Sequence, residues 1–255
     1  MYKNLNYSIQ PPVKLQNCDQ MEKITLLNKP TVKIDIVSDV VCPWCYIGKR
    51  RLEKAIDQLA DKYNFEITYH PFELNPGMAD GGADQKQYLT TKFGGEDRYN
   101  QITKQVTQVA ATEGLEFNFD KQKISPNTRN AHRIIELART EGKQLEMKEA
   151  FLKAYFTEGI DLSKNQNLVA LATAIGLNKE KVETLLASEN GLAEIELAEA
   201  EMQKLGVNGV PFYIIDNKYG ISGAQPTATF KQALEEIGSK LELSGEACEV
   251  DGKNC

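Results

Sequence analysis

The chain of 255 residues is 41% hydrophobic and 26% charged, ordinary proportions for a globular protein and long enough to bury a core without covalent staples. A formal net charge of −6, with no stretch dense in Lys and Arg, argues against a nucleic-acid surface. No segment reaches the ~18 apolar residues of a membrane span, so no membrane partner is expected. Residues 1–30 hold Pro11-Pro12, scattered Asn and Gln, and no apolar run of signal-peptide length. They read as a flexible arm on a cytoplasmic chain, with Met21 an alternative start to Met1.

Val32-Lys33-Ile34-Asp35-Ile36-Val37 is β-branched and predicts the first strand. It leads to Cys42-Pro43-Trp44-Cys45, and a helical pattern begins near Tyr46. From Arg51 to Tyr63, Leu52, Ala55, Ile56, Leu59, Ala60 and Tyr63 recur at helical spacing until Asn64 breaks the pattern. Lys49-Arg50-Arg51 reads either as a solvated first turn or as charge that helps hold a nearby thiolate. Phe65 to His70 alternates as a second strand, and such a β–α–β unit implies parallel strands with a right-handed crossover. Pro71 to Gly82 is a loop. Helices are then expected near 84–94, 96–114, 127–141, 145–158, 164–175, 178–187 and 190–205. Ser163 with Gln166 resembles a capping box, and Asn178 marks another helix start. Phe212–Ile215 and Tyr219–Ser222 form a hairpin, and Thr227 to Leu241 a closing helix.

Two cysteines separated by two residues at a strand-to-helix junction are placed to cycle between dithiol and disulfide. The helix start supplies unpaired N–H groups and partial positive charge, which favour thiolate. Cys42 is therefore the expected nucleophile and Cys45, one turn deeper, the resolving thiol. Cys248 and Cys255 close a short loop containing Gly252 and form a candidate second redox pair. Cys18, in the arm, has no assigned role. His132, with Ile135 three residues on, fits a core or surface position, and His70 a structural one. Asp39 and Glu73 read as solvated loop carboxylates or, if near Cys45, as shuttles for its proton.

The order β–α–β, helical block, β–β–α describes an α/β thioredoxin fold interrupted by a large all-helical insertion. Residues 31–80 and 207–241 form the thioredoxin-fold domain, 81–206 the insertion and 242–255 a tail. This organisation resembles that of DsbA-like proteins. Ser38-Asp39-Val40-Val41-Cys42-Pro43-Trp44-Cys45-Tyr46-Ile47-Gly48 is similar to the active-site segment of their FrnE-type branch. Further matches are Pro71 to Pro76, Asn127-Thr128 with Ala131-His132-Arg133, Gly209-Val210-Pro211-Phe212 and Gly223-Ala224-Gln225. The resemblance implies a cytoplasmic thiol–disulfide oxidoreductase or disulfide isomerase acting on protein or peptide thiols and disulfides. Glutathione or a thioredoxin-type partner would recycle it, and no cofactor is implied. It also implies a cis bond before Pro211 facing the cysteines, with Val210 pairing to substrate and Pro43, Trp44 and Pro211 as further substrate contacts. His132 is brought to the cleft by the same likeness, and members of the branch often carry an extra carboxy-terminal cysteine pair.

Three other readings are open. A zinc module using both cysteine pairs is disfavoured by the six residues between Cys248 and Cys255, outside the usual two to four. Glutathione-dependent isomerases or transferases of the kappa and 2-hydroxychromene-2-carboxylate type share the inserted architecture but generally place serine where Cys42 stands. A chaperone-like binder would use the helical block as an apolar cleft and need neither thiol.

Overall fold

The computed structural model describes residues 29–249, with side-chain surroundings described through Leu241. Strand β1 (Thr31–Ser38) buries Val32, Ile34 and Ile36 by its period of two. Helix α1 (Pro43–Asp57) carries the chain to β2 (Asn64–Pro71), which pairs with β1 in parallel from Thr31↔Asn64 to Ser38↔Pro71. The helix begins at Pro43, earlier than the spacing from Tyr46 predicts. Cys42 is its cap residue, and Pro43 has no N–H to leave unpaired and a φ already suited to a first helical position. The apolar spacing also outlasts the helix. Leu59 and Tyr63 reach the core from turns closed by Leu59 N–H to Ile56 O (2.9 Å) and Tyr63 N–H to Leu59 O (3.0 Å).

The insertion opens with a two-residue ribbon, β3 (Ala83–Asp84) against β4 (Ile124–Ser125), too short to leave a period in the sequence. Between its strands lie α2 (Gln85–Phe93) and α3 (Glu96–Thr112), separated by Gly94 and Gly95 at φ +83° and +137°. Then follow α4 (Arg129–Thr140), α5 (Gln144–Lys153), α6 (Asn165–Ala174), α7 (Lys179–Leu186) and α8 (Leu192–Lys204). α5 continues into one π-helical turn, Ala154–Glu158, closed by Ile160 N–H to Ala154 O at 2.9 Å. That turn lays Phe156 on Phe117, ring centres 4.6 Å apart. Asn178 caps α7 by accepting the Lys181 N–H at 2.9 Å. Ser163 does not cap. α6 starts at Asn165 beyond Lys164, and the Ser163 hydroxyl is buried with no partner among the described residues.

β5 (Phe212–Ile215) returns antiparallel to β1, and β6 (Tyr219–Ser222) antiparallel to β5, completing the order β2-β1-β5-β6. α9 (Thr227–Glu249) covers one sheet face and runs past the expected end at Leu241, because no proline follows Pro226 to stop it. The thioredoxin fold with a helical insertion is thus present. Residues 1–28 with Cys18, and Cys255, lie outside the described residues, and so does the side chain of Cys248. No helix among the described residues is long and apolar enough to cross a membrane.

Leu52 and Ala55 of α1 and Phe230, Leu234 and Ile237 of α9 pack on the sheet face formed by Val32, Ile34 and Ile36. Tyr46 and Ile47, one turn past the cysteines, instead join the core of the insertion with Phe117, Phe151 and Phe156. The active-site helix is therefore shared between two cores. Its basic triplet ties them together and is neither solvated nor aimed at sulfur. Glu149 of α5 accepts from Tyr46 Oη (2.7 Å) and Arg50 Nη1 (3.0 Å) and pairs with Lys49 Nζ (2.7 Å). Glu113, just past α3, pairs with Arg51 Nε and Lys54 Nζ, both at 2.6 Å. Burial opposes ionisation of Glu149, but Arg50, Lys49 and Tyr46 outweigh it and hold the carboxyl down to about 2. A depressed carboxylate stabilises the fold fully above its unfolded value of 4.5 and loses that contribution as pH falls toward about 2. Glu149→Gln should destabilise by about 1–3 kcal/mol at neutral pH. Urea titrations of both proteins should show the gap narrowing below pH 4.5, and a pH-independent gap would refute the electrostatic assignment.

Candidate active site

Cys42 and Cys45 span the first turn of α1, with Cys45 N–H bonded to Cys42 O at 3.1 Å. Both are free thiols, each 3% exposed, and no acidic residue stands in that first turn to oppose a thiolate. The Val210–Pro211 peptide is cis and precedes β5. The Val210 carbonyl oxygen lies 3.6 Å from Cys42 Sγ. Pro211 is buried behind it, its ring near Gly48, where an added Cβ would also overlap the Tyr213 hydroxyl. A side chain at 48 would thus push on the proline that sets the loop beside the thiols.

A cavity of about 320 Å³ opens against this turn, between α1 and the insertion. Cys42, Pro43, Trp44 and Val210 line it, and Cys45 does not. Trp44 is 37% exposed. The expected substrate residues are therefore brought together, except that Pro211 supports Val210 from behind. His132 is not on this wall. It is buried beneath the loop after β1, with Nε2 3.2 Å from Asp39 Oδ1. α4 presents it to the carboxylate, which explains why the expected cleft position fails. His70 pairs with Asp35 at 2.7 Å, and Glu73 with Arg129 at 3.0 Å.

Asp39 is fully buried and is not a solvated loop carboxylate. It accepts the Val40 N–H (2.7 Å) and the Leu74 N–H (2.9 Å), joining the β1–α1 loop to the segment after β2. Burial would raise its carboxyl, but His132, the Leu74 N–H and Lys148 together hold it below the usual range. Lys148 of α5 is a second fully buried charge close by, 1% exposed, donating to the Ser38 carbonyl at 3.2 Å and standing over the Tyr69 ring. Burial pulls its ammonium down to about 8.

The two thiols interact strongly enough that their ionisations belong to the pair. Burial opposes the first ionisation. The thiol–thiol bond, the Lys148 charge, the Ser38 hydroxyl and the Asp39 backbone overcome it and draw it below the ordinary thiol range. Loss of the second proton is pushed well above that range by the same S–H···S bond, by burial and by the first charge. The chain itself carries a signal for Lys148. Gln144, Met147, Lys148, Phe151 and Leu152 share the buried stripe of α5, and a lysine on such a stripe needs a partner. Gln144 has its own: its amide bonds Tyr69 N–H and O, both at 2.9 Å, on the outer edge of β2.

The sheet order, the cis proline before β5, the inserted helices and the dithiol at the start of α1 define a DsbA-like thioredoxin-fold protein. The model of the DSBA-like thioredoxin domain family matches residues 33–235, and the chain belongs to that family. It is 26% identical over 215 residues to YwbO of Bacillus subtilis (strain 168), a protein described as uncharacterized, covering 82% of this chain and 99% of that one. Among solved structures it resembles SCO1869 of Streptomyces coelicolor, described as a probable DsbA oxidoreductase. Identity is 33%, the TM-score 0.77, and the match covers 82% of this chain and 91% of the other. The fold is also that of the cytosolic disulfide reductase DsbM from Pseudomonas aeruginosa, solved with GSH, at 17% identity and TM-score 0.57 over 84% and 99% of the two chains.

At neutral pH Lys148 carries its proton, since its value stays near 8, and its charge favours the thiolate. Lys148→Met should therefore move the first thiol ionisation to higher pH and slow alkylation of the pair at pH 7 several-fold. Thiolate absorbance and iodoacetamide kinetics would measure this. An unchanged titration in a folded variant would remove Lys148 from the site's electrostatics.

Proposed function

We propose that the protein is a thiol–disulfide oxidoreductase of the FrnE type, competent in disulfide isomerisation, with Cys42 and Cys45 as its redox pair. The observation that carries this reading is the asymmetry of the sulfurs. Both are free thiols at the start of α1, but Cys42 alone of the two lines the cavity beside the Val210 carbonyl. In the oxidised form a substrate thiolate attacks Cys42 Sγ. The Cys42–Cys45 bond breaks, a Cys42–substrate disulfide forms, and Cys45 leaves as a thiolate. Lys148 and Ser38 favour that leaving anion. A second substrate thiolate then attacks the substrate sulfur, forming its disulfide and releasing Cys42, so the enzyme ends as a dithiol two electrons reduced. The reverse sequence reduces a disulfide, and return of the mixed disulfide to a different substrate thiol isomerises one.

Pro43, Trp44 and Val210 line the cavity with the attacked sulfur and are the proposed substrate contacts, while Pro211, through its cis bond, sets the Val210 backbone that an extended strand would pair with. Protein or peptide thiols are the proposed substrates and the cytoplasm the proposed compartment. Glutathione or a thioredoxin-type protein is the proposed recycling partner. DsbM, which shares the fold, is described as cytosolic and was solved with GSH. A glutathione-dependent isomerase or transferase is the weaker reading, because such chemistry has no use for a second, buried thiol beside the first. Among the described residues no three His, Cys, Asp or Glu side chains are grouped for an ion; the zinc reading draws on Cys248 and Cys255, whose side chains lie outside those described.

Trp44, the chain's single tryptophan, lies between the thiols and should report their redox state. Its fluorescence in glutathione buffers is expected to show one two-electron transition that Cys45→Ser abolishes. A potential near or above the cytosolic glutathione poise, about −220 to −320 mV, fits an oxidant or isomerase, and one clearly below it a reductase. No transition would overturn the proposal. Cys248 and Cys255 are proposed to exchange with the active-site pair. Serine at both positions should slow turnover while leaving the first thiol ionisation unmoved, and unaltered turnover would remove the relay.

A further inference from the structure

The loop that brings Val210 to the thiols holds a reactive dipeptide. Asn-Gly occurs twice in the chain, at Asn190-Gly191 and at Asn208-Gly209. In such a pair the glycine nitrogen is placed to close a five-membered ring on the asparagine side-chain amide. Glycine has no Cβ to crowd that attack and leaves the main chain free to rotate into it. The surroundings separate the two copies. Asn190 O accepts from Arg133 Nε at 2.8 Å, and Gly191 O accepts the Ile195 N–H at 3.1 Å at the start of α8. The carbonyls on both sides of Gly191 are thereby held. Asn208 and Gly209 are exposed, and the Gly209 N–H donates to no group among the described residues. Asn208 is restrained only by a solvent-exposed hydrogen bond from Nδ2 to Gly206 O at 3.1 Å.

The ends of this loop are fixed where its middle is not. Val207 is fully buried with Val37 and Met202, and Val210 packs against the same cluster. Pro211 is buried, and its carbonyl accepts the Gly223 N–H at 2.8 Å. Asn208-Gly209 therefore bridges two anchored points, and one residue further on the Val210 carbonyl oxygen lies 3.6 Å from Cys42 Sγ.

We propose that Asn208-Gly209 is a site of spontaneous covalent modification, and that its main product, isoaspartate at 208, impairs exchange at Cys42. The Gly209 nitrogen gives its proton to solvent and attacks Asn208 Cγ. A C–N bond forms, the Cγ–Nδ2 bond breaks, and ammonia leaves with a proton from solvent, so that a cyclic imide remains. Water then opens the ring. Addition at Cγ restores the ordinary main chain with aspartate at 208; addition at the backbone carbonyl routes the main chain through Cβ and Cγ as isoaspartate. Isoaspartate lengthens the main chain by one methylene, about 1.5 Å. Between buried Val207 and buried Pro211 the loop must absorb that length, which shifts the Val210 carbonyl relative to Cys42 Sγ. The effect on exchange rests on the oxidoreductase reading; the ring closure does not.

The test ages the full chain carrying Cys45→Ser in warm, mildly alkaline buffer under reductant. The tryptic peptide Leu205–Lys218 is then followed by mass spectrometry, with electron-transfer fragmentation separating isoaspartate from aspartate. Conversion at Asn208 is expected to run several-fold faster than at Asn190, with isoaspartate predominating. The aged acidic form, isolated by ion exchange, should form its Cys42 mixed disulfide with glutathione disulfide several-fold more slowly than fresh protein. Gly209→Ala isolates the cause. The added Cβ meets nothing within 4 Å and Gly209 is not among the glycines of positive φ, so this variant should fold, resist conversion and keep its fresh rate through the same ageing. Circular dichroism establishes that each form is folded. No conversion at Asn208, or conversion no faster than at Asn190, would overturn the site. Conversion with an unchanged exchange rate would overturn the effect on Cys42 and leave the oxidoreductase reading intact. If fresh protein forms no mixed disulfide, that reading and the effect on Cys42 fall together, and the conversion rates alone decide the site.

Discussion

A sulfur that must carry negative charge inside a protein needs a buried positive group, because desolvation otherwise returns its proton. Lys148 is that group here. Its own burial is costly in turn and is offset by the Ser38 carbonyl, the face of the Tyr69 ring, the Asp39 carboxylate and the thiol pair. Asp39 is anchored by two backbone N–H groups and by His132. Each buried charge is thus tolerable only because of the others, and they arrive from β1, the loops around it, α4 and α5. The active site exists only when the insertion is docked on the thioredoxin scaffold.

That docking falls to α1. Its later turns pack on the sheet while its first turn packs among the aromatic rings of the insertion. Glu149 and Glu113 fasten the same helix from α5 and from the end of α3. A helix that must satisfy two cores has little freedom to tilt, so the thiols at its start are held against Val210 on one side and Lys148 on the other. The cavity lies along the same seam, with walls from α1, α2, α3 and the π-helical turn. The residues that shape access to Cys42 therefore come largely from the insertion, and the residues that govern its redox pair from both parts.

Much of this was legible in the chain itself. Strands with period two, helices with breaks at Gly94-Gly95 and Gly176, and a Cys-x-x-Cys between strand and helix are local signals, and they gave the element order. What local pattern could not carry was pairing across the fold. The triplet Lys49-Arg50-Arg51 looks solvated until Glu149 and Glu113 are brought to it from residues ~60 to ~100 positions away. His132 sits on a helix face that meets a carboxylate instead of a cleft. Ribbon β3–β4 is too short for any period, and the π-helical turn follows from packing of Phe156 rather than from spacing.

The two sides of the dithiol have opposite character, and this shapes its chemistry. Toward the cavity Cys42 meets apolar side chains and a backbone carbonyl; toward the interior Cys45 meets Ser38, the Asp39 backbone and the charge of Lys148. Negative charge released in the pair is therefore favoured on the side away from substrate. Burial draws Lys148 down to about 8, and the first thiol ionisation is drawn below its ordinary range. Passing a proton between the lysine nitrogen and sulfur leaves the net charge of the interior unchanged. With the first negative charge of the resting dithiol drawn toward the interior, a substrate approaching Cys42 displaces water chiefly from carbon surfaces. The fold thereby separates the place where the sulfur reacts from the place where its charge is held.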